Sequence, residues 1–324
     1  MSIQALTTLL KDSALGPAEA WDFESMAKLA TRKMDLILFR GRETVLQGDQ
    51  SRLWLRWFIE GLATPWAFVA DHSKSELHVY EAVLHNLRAA FPQADELERK
   101  GLADEITKHL YAEVKRHRSS GGRDFATTAR KRELVEQRSP ARCYLCGYVF
   151  TQEAVDALLR VRGRNPIPMP PLVDVFRPRL NDPSDVRIEI EHIVPVAQGG
   201  QGLANLGLAC GWCNRHKSAR ISIYDVPSAS SRALAHLGSH TLYELPEPYW
   251  MVRTLALQRR CQHPDGCPKT IEDEELRVAL SDWDCSPNPT NLQFFCAEHD
   301  PIKTDRFMKP DEADAIWKAR RRGR

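Results

Sequence analysis

The sequence predicts an α+β protein in three parts, with helices in the first part and a small cysteine-framed domain in each of the other two. Three observations predict this division. Apolar residues recur at helical spacing as far as about residue 138. Two clusters of closely spaced cysteines follow, and the second repeats much of the spacing of the first. The predicted domains are residues 1–138, 139–225 and 226–324.

The first predicted domain is all-α. We expect Asp49 to cap one helix and Ser73 to cap the next, and residues 94–117 to form another. The tryptophan and tyrosine side chains of this domain are expected in its core rather than in a base-stacking surface. We identify no chemistry in this domain, and its role stays open, with binding of a protein partner as one option.

The basic residues are clustered although the formal net charge of the 324-residue chain is only +2. A local basic stripe can bind nucleic-acid phosphates even when the net charge is near zero. The nucleic-acid contacts that we predict come from one stretch before the first cysteines and from the C-terminal tail: Arg130, Lys131, Arg132, Arg320, Arg321 and Arg322. A solvated helix face is the alternative interpretation of the first stretch.

The predicted location is the cytoplasm. The N-terminal residues lack the basic segment and the long apolar run of a signal peptide. No window approaches the roughly 20 apolar residues of a membrane span, so no membrane partner is expected. Thiols stay reduced in the cytoplasm, and closely spaced cysteines there favour a metal over disulfides.

The first cysteine frame consists of two Cys-x-x-Cys pairs, Cys143 with Cys146 and Cys210 with Cys213. Pairs of this spacing predict one structural Zn²⁺ held by four thiolates. A two-stranded unit buries too little apolar surface to be stable alone, which gives the metal a structural role.

Between these pairs the sequence predicts a strand, a loop, a second strand and a short helix. Residues 186–190 alternate between apolar and charged side chains, which predicts a half-buried strand that ends beside His192. A return strand is expected over residues 203–209. The proline-rich segment 164–183 is expected to lack regular structure, and residues 221–250 are expected to form a linker.

The motifs in this unit resemble those of the HNH endonuclease family, in the four-cysteine, zinc-containing form of the McrA-like enzymes. They are Glu191-His192-Ile-Val-Pro, Asn205-Leu206 and Cys-x-x-Cys-Asn214-x-x-Lys217. The resemblance covers about 80 residues. It implies a ββα-metal, treble-clef-like fold, a catalytic Mg²⁺ or Mn²⁺, and hydrolysis of double-stranded DNA in restriction or phage defence.

Chemistry and the resemblance together assign a role to each matching residue. His192 is the predicted general base, because a histidine titrates near neutral pH. The resemblance gives Glu191 and Asn214 to the catalytic metal, which prefers oxygen ligands. Asn205 is expected to brace the loop and orient the base, and Lys217 to meet the DNA backbone or the scissile phosphate. Many family members have Asp at the position of Glu191.

The second cysteine frame follows the same spacing, Asn-Leu-x₃-Cys-x₂-ligand, as the first. We name residues 142–217 the first copy and residues 260–303 the second copy. The second frame is predicted to hold another structural Zn²⁺ through Cys261, Cys267, Cys296 and His299. Cys285 and His263 are the alternative ligands.

The second copy is predicted to be a degenerate HNH-like unit without a catalytic base. We expect Arg277-Val278 where the first copy has Glu191-His192. An unrelated zinc finger with matching spacing is the alternative.

Two rival functions stay open for the whole chain. One is a non-catalytic, zinc-stabilised adaptor for nucleic acid or protein, and the other is a nuclease that acts on RNA.

Overall fold

The protein is described here by a computed structural model that covers residues 22–31, 39, 41–118, 126–179, 183–195, 202–227 and 231–322. The chain divides into two compact units, Met1–Thr44 and Val45–Arg324. The predicted domain boundaries at residues 138 and 225 stay predictions. None of the helices in the described residues is long and apolar enough to cross a membrane.

All secondary-structure elements described before residue 137 are helices. In chain order these helices are α1 Phe23–Ala30, α2 Glu43–Leu62, α3 Pro65–Val69, α4 Glu76–Ala90, α5 Glu96–Arg118 and α6 Thr128–Glu136. Two capping predictions were wrong. Asp49 lies buried inside α2, where Arg253 pairs with it at 2.6 Å, and the N-cap of α4 is Ser75 rather than Ser73.

Helices α4 and α5 build most of a hydrophobic cluster of their own, which also includes residues from the end of α2 and from α3. The prediction that the tryptophans are core residues was wrong for Trp54, Trp57 and Trp66, which are 60%, 59% and 61% exposed. At 100° per residue, Trp54 lies on the side of α2 opposite to the buried Val45 and Asp49, and Trp57 lies on the flank between the two sides. The apolar periodicity correctly predicted a helix, but it did not show which face of α2 is buried.

From residue 152 onwards the described residues form short helices and four antiparallel strand pairs. The elements are α7 Gln152–Leu159, β1 Val173–Asp174, β2 Ile188–His192, β3 Leu206–Cys210, α8 Gly211–Lys217, β4 Ser231–Leu237, β5 His240–Leu245, α9 Pro248–Gln258, β6 Arg277–Leu280, β7 Leu292–Phe295, β8 Phe307–Met308 and α10 Pro310–Arg322. The pairs are β1 with β8, β2 with β3, β4 with β5 and β6 with β7. The predicted strand, loop, strand and helix of the first copy are β2, β3 and α8.

Two segments expected to be irregular contain strands. The proline-rich segment 164–183 includes β1, which pairs with β8, so that Val173 lies opposite Met308. The expected linker 221–250 contains the hairpin of β4 and β5. In β4 Ser231 is buried and Leu234 is exposed, so its apolar residues do not alternate regularly with polar ones and the strand was not recognised.

The two copies share one hydrophobic core, to which both cysteine frames contribute. The contact is close at Gly147, where φ is +79° and an added Cβ would collide with the backbone oxygens of Ile271 and Glu274. Only glycine suits this position, because it tolerates positive φ and lets two backbones approach. The two copies are therefore packed against each other and are not independent domains.

Candidate functional site: the hairpin and helix between the first cysteines

His192 is the last residue of β2, and Asn205 fixes the backbone that follows it. The Ile193 N–H donates to the Asn205 carbonyl at 2.8 Å. The Val194 N–H donates to Asn205 Oδ1, and Asn205 Nδ2 donates to the Val194 carbonyl, both at 2.9 Å. Both ends of the amide are thus used to hold the chain just after His192, which limits where its ring can lie.

The imidazole of His192 is half-buried. Its Nε2 atom is shielded from solvent and has no hydrogen-bond partner among the described residues. Buried polar atoms in proteins nearly always have a partner, so an exception needs an explanation. A ring nitrogen that no protein group occupies can accept a proton from a substrate or a water.

Glu191 lies next to His192 but points into a buried polar cluster. The phenol of Tyr144 donates to Glu191 Oε2 at 2.5 Å, and Lys217 Nζ donates to Oε1 at 2.5 Å and to the His192 carbonyl at 2.8 Å. Burial and the Glu191 carboxylate raise the pKa of Tyr144 well above its ordinary value, so the phenol stays a donor. Gly207 leaves room for this ring, because a Cβ there would lie 2.9 Å from it.

Helix α8 carries Asn214 and Lys217 one turn apart on the side that meets β2. Asn214 Nδ2 donates to a carboxylate oxygen of Glu189, a residue that also pairs with Arg187 at 2.7 Å. No hydrogen bond joins Asn214 to Glu191 in the described part of the chain. The structure thus pairs Asn214 with Glu189, and Glu191 with Lys217.

Sequence reasoning missed Glu189 and Tyr144 as members of this site. The alternation of β2 was the available signal for Glu189, because residues two apart in a strand face the same way. Tyr144 lies between two zinc-type cysteines, and nothing in its local spacing marks it. The assignments of Glu191 and Asn214 to a metal, and of Asn205 and Lys217 to catalysis, stay predictions.

The four sulfur atoms of the first cysteine frame lie within 4.8 Å of one another, and all four residues are buried. Tetrahedral zinc with Zn–S bonds of about 2.3 Å places its sulfurs about 3.8 Å apart, which this group fits. Arg179 Nη2 lies 3.6 Å from Cys146 Sγ and 3.9 Å from Cys210 Sγ. Burial raises the pKa of Cys210, but hydrogen bonds from the other thiols and the charge of Arg179 bring it well below its ordinary value.

Residues 180–220 match the family model for HNH endonucleases. This segment is an HNH domain. It includes the hairpin of β2 and β3, helix α8, and the residues His192, Asn205, Asn214 and Lys217. No curated protein and no solved structure matches the chain. The family match indicates a nuclease and a nucleic-acid substrate.

Beside the HNH domain, the second cysteine frame is also assembled. Cys261, Cys267, Cys296 and His299 offer ligand atoms that lie within 4.8 Å of one another, as predicted for a metal site. His299 Nδ1 is 3.2 Å from Cys296 Sγ and 3.7 Å from Cys261 Sγ. His263 stacks on His299 with 4.0 Å between ring centroids, and Cys285 is exposed. Neither belongs to the group of four.

The hairpin of β6 and β7 repeats the asparagine clamp of the HNH domain. The Ser281 N–H donates to the Asn291 carbonyl at 2.8 Å. The Asp282 N–H donates to Asn291 Oδ1 at 2.9 Å, and Asn291 Nδ2 donates to the Asp282 carbonyl at 2.8 Å. Asn291 therefore makes the same three bonds as Asn205.

This clamp aligns the two copies residue by residue and corrects one prediction. Leu280 pairs with the residue after Asn291, as His192 pairs with the residue after Asn205. Leu280 thus stands at the position of His192, and Ala279 at that of Glu191. The expectation of Arg277-Val278 there was wrong by two residues, because the loop between strand and clamp is two residues shorter in the second copy.

The position of Asn214 is taken by Asp300 in the second copy, and that of Glu189 by Arg277. Arg277 Nη1 lies 3.1 Å from Asp300 Oδ2, so an ion pair replaces the contact of amide and carboxylate. Arg306 closes the same carboxylate at 2.9 Å, and both Asp300 and Arg306 are fully buried. The second copy has neither a base nor an open oxygen ligand at these positions.

The predicted nucleic-acid contacts before the first frame lie on and near α6. Arg130 pairs with Glu133 at 2.5 Å and donates to the Leu203 carbonyl, within the HNH domain, at 2.9 Å. Lys131 is half-buried and Arg132 is exposed. Arg132 is therefore the most accessible of the three for a phosphate.

The predicted basic tail is the end of a packed helix. Arg320 is buried in α10 and pairs with Glu247 at 2.8 Å, so its charge is already neutralised. Trp317, one turn earlier, donates from its indole to the Val175 carbonyl. The side chains of Arg321 and Arg322 lie outside the described residues.

Proposed function

We propose that the protein is a divalent-metal-dependent HNH endonuclease that hydrolyses the phosphodiester bonds of double-stranded DNA, with His192 as the general base. The observation that carries this proposal is the unpartnered Nε2 of His192 at the end of β2. It lies in a domain whose family consists of endonucleases. A neutral imidazole at this place would take a proton from the attacking water.

The residues around His192 hold it in position rather than react. Asn205 fixes the two peptide groups that follow it, and Lys217 binds its carbonyl oxygen. A base held within about an ångström of its working position is far more effective than a mobile one. Lys217 is proposed to act through this contact and through its charge near the phosphate.

The proposed catalytic ion is Mg²⁺ or Mn²⁺, held by Glu191 and Asn214, with Glu189 as a further candidate. The donor set fits in its chemistry, because carboxylate and amide oxygens are the ligands that Mg²⁺ prefers. Both oxygens of Glu191 accept hydrogen bonds, from Tyr144 and from Lys217, so a metal bound by Glu191 would replace one of these bonds. Glu189 is included as a candidate ligand because its carboxylate is in contact with Asn214. When bound, such an ion stabilises negative charge that develops on the phosphate oxygens.

Two Zn²⁺ ions are proposed for the two cysteine frames, one in each, with structural roles. DNA contacts are proposed for Arg130, Lys131 and Arg132, while a role of the helical region in binding a protein partner rests on the sequence alone. The place of the enzyme in bacterial restriction or phage defence is likewise an inference from the family.

The test is cleavage of supercoiled plasmid by the purified full-length protein with Mg²⁺, Mn²⁺ or EDTA. We expect nicked or linear product with either metal and none with EDTA. The His192→Ala variant should lose about 10²- to 10⁴-fold in rate while keeping its zinc content and its affinity for DNA. Unchanged cleavage by this variant would remove His192 from the reaction.

The same assay separates the rival functions. A structured RNA of similar length is incubated in parallel, and faster cleavage of RNA than of DNA would change the substrate. DNA binding without cleavage under all metal conditions would favour the non-catalytic adaptor.

A further inference from the structure

A cavity of about 600 Å³ adjoins the HNH site on the side of Tyr144 and Lys217. Helices α6 and α9 and strand β3 contribute to its walls. Tyr144 and Lys217 line it and also donate to Glu191, whereas His192 and Asn214 are not among its lining residues. The cavity is therefore next to the proposed reaction centre but distinct from it.

The charge of the cavity wall has one sign. Seven basic side chains and no aspartate or glutamate line it: Arg130, Arg138, Arg142, Lys217, Arg220, Arg253 and Arg259. The remaining lining includes the rings of Tyr144 and Tyr249 and an apolar group that contains Leu134, Leu145, Ile193 and Val252. A cationic wall beside apolar and aromatic surface suits a ligand with both an anionic and a flat apolar part.

Nearby carboxylates neutralise only part of this charge. The ion pairs are Arg130 with Glu133, Arg253 with Asp49, Lys217 with Glu191, and both Arg138 and Arg259 with the single carboxylate of Glu272. Seven cations thus face four carboxylates. The positive charges left over make the cavity attractive to an anion, because like charges gathered on one wall raise the local positive potential.

Arg142 and Arg220 stand out among the lining cations. Arg142 donates to the Gly147 carbonyl at 3.1 Å, and Arg220 donates to the His216 carbonyl at 2.8 Å. Neither guanidinium forms an ion pair within 4.0 Å in the described residues, although the charge of Arg142 contributes to the lowered pKa of the exposed Asp273. Arg220 also lies over the ring of Tyr249, 5.5 Å from its centroid. Guanidinium groups bind phosphate through paired N–H donors, so these two are the expected phosphate contacts.

We infer that this cavity binds a phosphorylated ligand of nucleotide size. Its volume lies in the range of small-molecule sites, about 300–1,000 Å³. The arginines would hold the phosphate groups, and the tyrosine rings and apolar side chains would cover the base. The ligand is either a free nucleotide or a nucleotide of the bound DNA strand, and in the second case the inference rests on the proposed function.

The test measures two affinities of the full-length protein. Calorimetric titration with ATP, dAMP and inorganic phosphate reports on free ligands, and fluorescence anisotropy with a labelled duplex in EDTA reports on DNA. The variants are Arg220→Gln and Arg142→Gln. The matched control is Arg232→Gln, which removes an exposed arginine of β4 that does not line the cavity.

We expect Arg220→Gln to weaken one of the two affinities about 10-fold or more, the effect of one lost charged hydrogen bond, with Arg232→Gln unchanged. Weaker binding of ATP or dAMP with unchanged DNA affinity identifies a free nucleotide. Weaker DNA binding, with no binding of the free nucleotides, identifies a nucleotide of the strand. Arg220→Lys should retain part of the affinity, and equal zinc content and melting temperature exclude a folding defect.

The inference fails if the wild-type protein binds none of the three small ligands and Arg220→Gln and Arg142→Gln leave DNA affinity unchanged. That result leaves the proposed function intact if the wild-type protein still cleaves DNA. If the wild-type protein binds nucleotide but cleaves no nucleic acid, the nucleotide site is supported and the proposed nuclease function is contradicted.

Discussion

The HNH domain and the second copy hold their hairpins in the same way but fill them with different chemistry. Each hairpin lies between the two halves of a four-ligand frame. Each is also clamped by one asparagine through three hydrogen bonds of nearly equal length. The first copy then has His192, Glu191 and Glu189 along its strand. The second has Leu280 and Ala279 at two of these positions, both buried.

A frame and a clamp therefore hold the hairpin together whether or not a catalytic residue is present. Where Asn214 meets Glu189 in the first copy, Arg277, Asp300 and Arg306 form a closed ion cluster in the second. With Asp174, which also pairs with Arg306, two cations meet two carboxylates, so the Asp300 carboxylate is committed to ion pairs rather than open to a metal. The polar residues of the HNH domain are therefore additions to a scaffold that stands without them.

The second copy also supports the first across their shared core. Arg177 and Arg179, which precede β2, pair with Glu275 of the second copy at 3.1 and 2.8 Å. Arg179 is the same residue that lies beside two thiols of the first frame. The Leu276 N–H donates to the Cys146 carbonyl at 3.2 Å. A defect in the second copy should thus reach the HNH domain.

The largest effect expected in this comparison is the loss of either frame. Cys143→Ser should yield unfolded or insoluble protein, because a structural zinc contributes about 10–16 kcal/mol in small zinc-finger peptides. Cys261→Ser should also unfold the HNH domain, because the two frames share one core. Elemental analysis should find two zinc ions per wild-type chain. A soluble, fully active Cys261→Ser protein with one zinc would make the copies independent.

The second-largest effect is expected when the first copy receives the residues of the Arg277–Asp300 pair at the matching positions. Glu189→Arg combined with Asn214→Asp should leave the fold intact but lower cleavage by about 100-fold or more, because it removes several kcal/mol of metal-based charge stabilisation. The pair lies near the surface, so we expect a change in stability below about 1 kcal/mol. Plasmid cleavage at increasing Mg²⁺ and thermal unfolding measure the two quantities. Unaltered cleavage would exclude both residues from the metal site.

A smaller loss, in stability rather than in rate, should follow from opening the ion cluster of the second copy. Arg306 bonds Asp300 and Asp174 at 2.9 and 3.1 Å without solvent exposure. Arg306→Met leaves buried Asp174 without its cation and leaves Asp300 with Arg277 alone. Breaking a buried ion pair in this way costs about 3–5 kcal/mol. Arg277→Met is the control, since Arg277 is 24% exposed and also pairs with Asp300. Equal losses in denaturant unfolding for both variants would contradict the closed-cluster interpretation.

Sequence reasoning found what depends on spacing and missed what depends on packing. The ligands of both frames, the order of strands and helix in the HNH domain, and the repeat itself were readable, because metal ligation and a hairpin fix the distances between residues along the chain. The offset of two residues in the second copy was not, because a loop can shorten without changing any motif.

Burial was the harder quantity to predict. Glu191 looked like an open metal ligand, yet Tyr144 and Lys217 occupy both of its oxygens. Arg320 looked like a phosphate contact, yet it is buried in α10 and its charge is neutralised by an ion pair with Glu247. In each case the deciding partner is distant in sequence, so no local pattern could reveal it. The contact between Asn214 and Glu189 was missed for the same reason.

The smallest effect, and the sharpest test of equivalence, is expected from the two clamps. Asn205→Ala removes two side-chain hydrogen bonds to the backbone, whereas Asn291→Ala removes four, because Asn291 Nδ2 also donates to the carbonyls of Cys285 and Ser286. The cost is about 1–3 kcal/mol where the freed groups are buried. Asn291 is 3% exposed and Asn205 is half-buried, so Asn291→Ala should be the more destabilising. Cleavage should respond in the opposite order, because only Asn205 positions the chain beside His192. Rates measured well below both unfolding temperatures separate the two effects. Equal losses of activity would mean that the clamps serve stability alone and that His192 does not depend on Asn205.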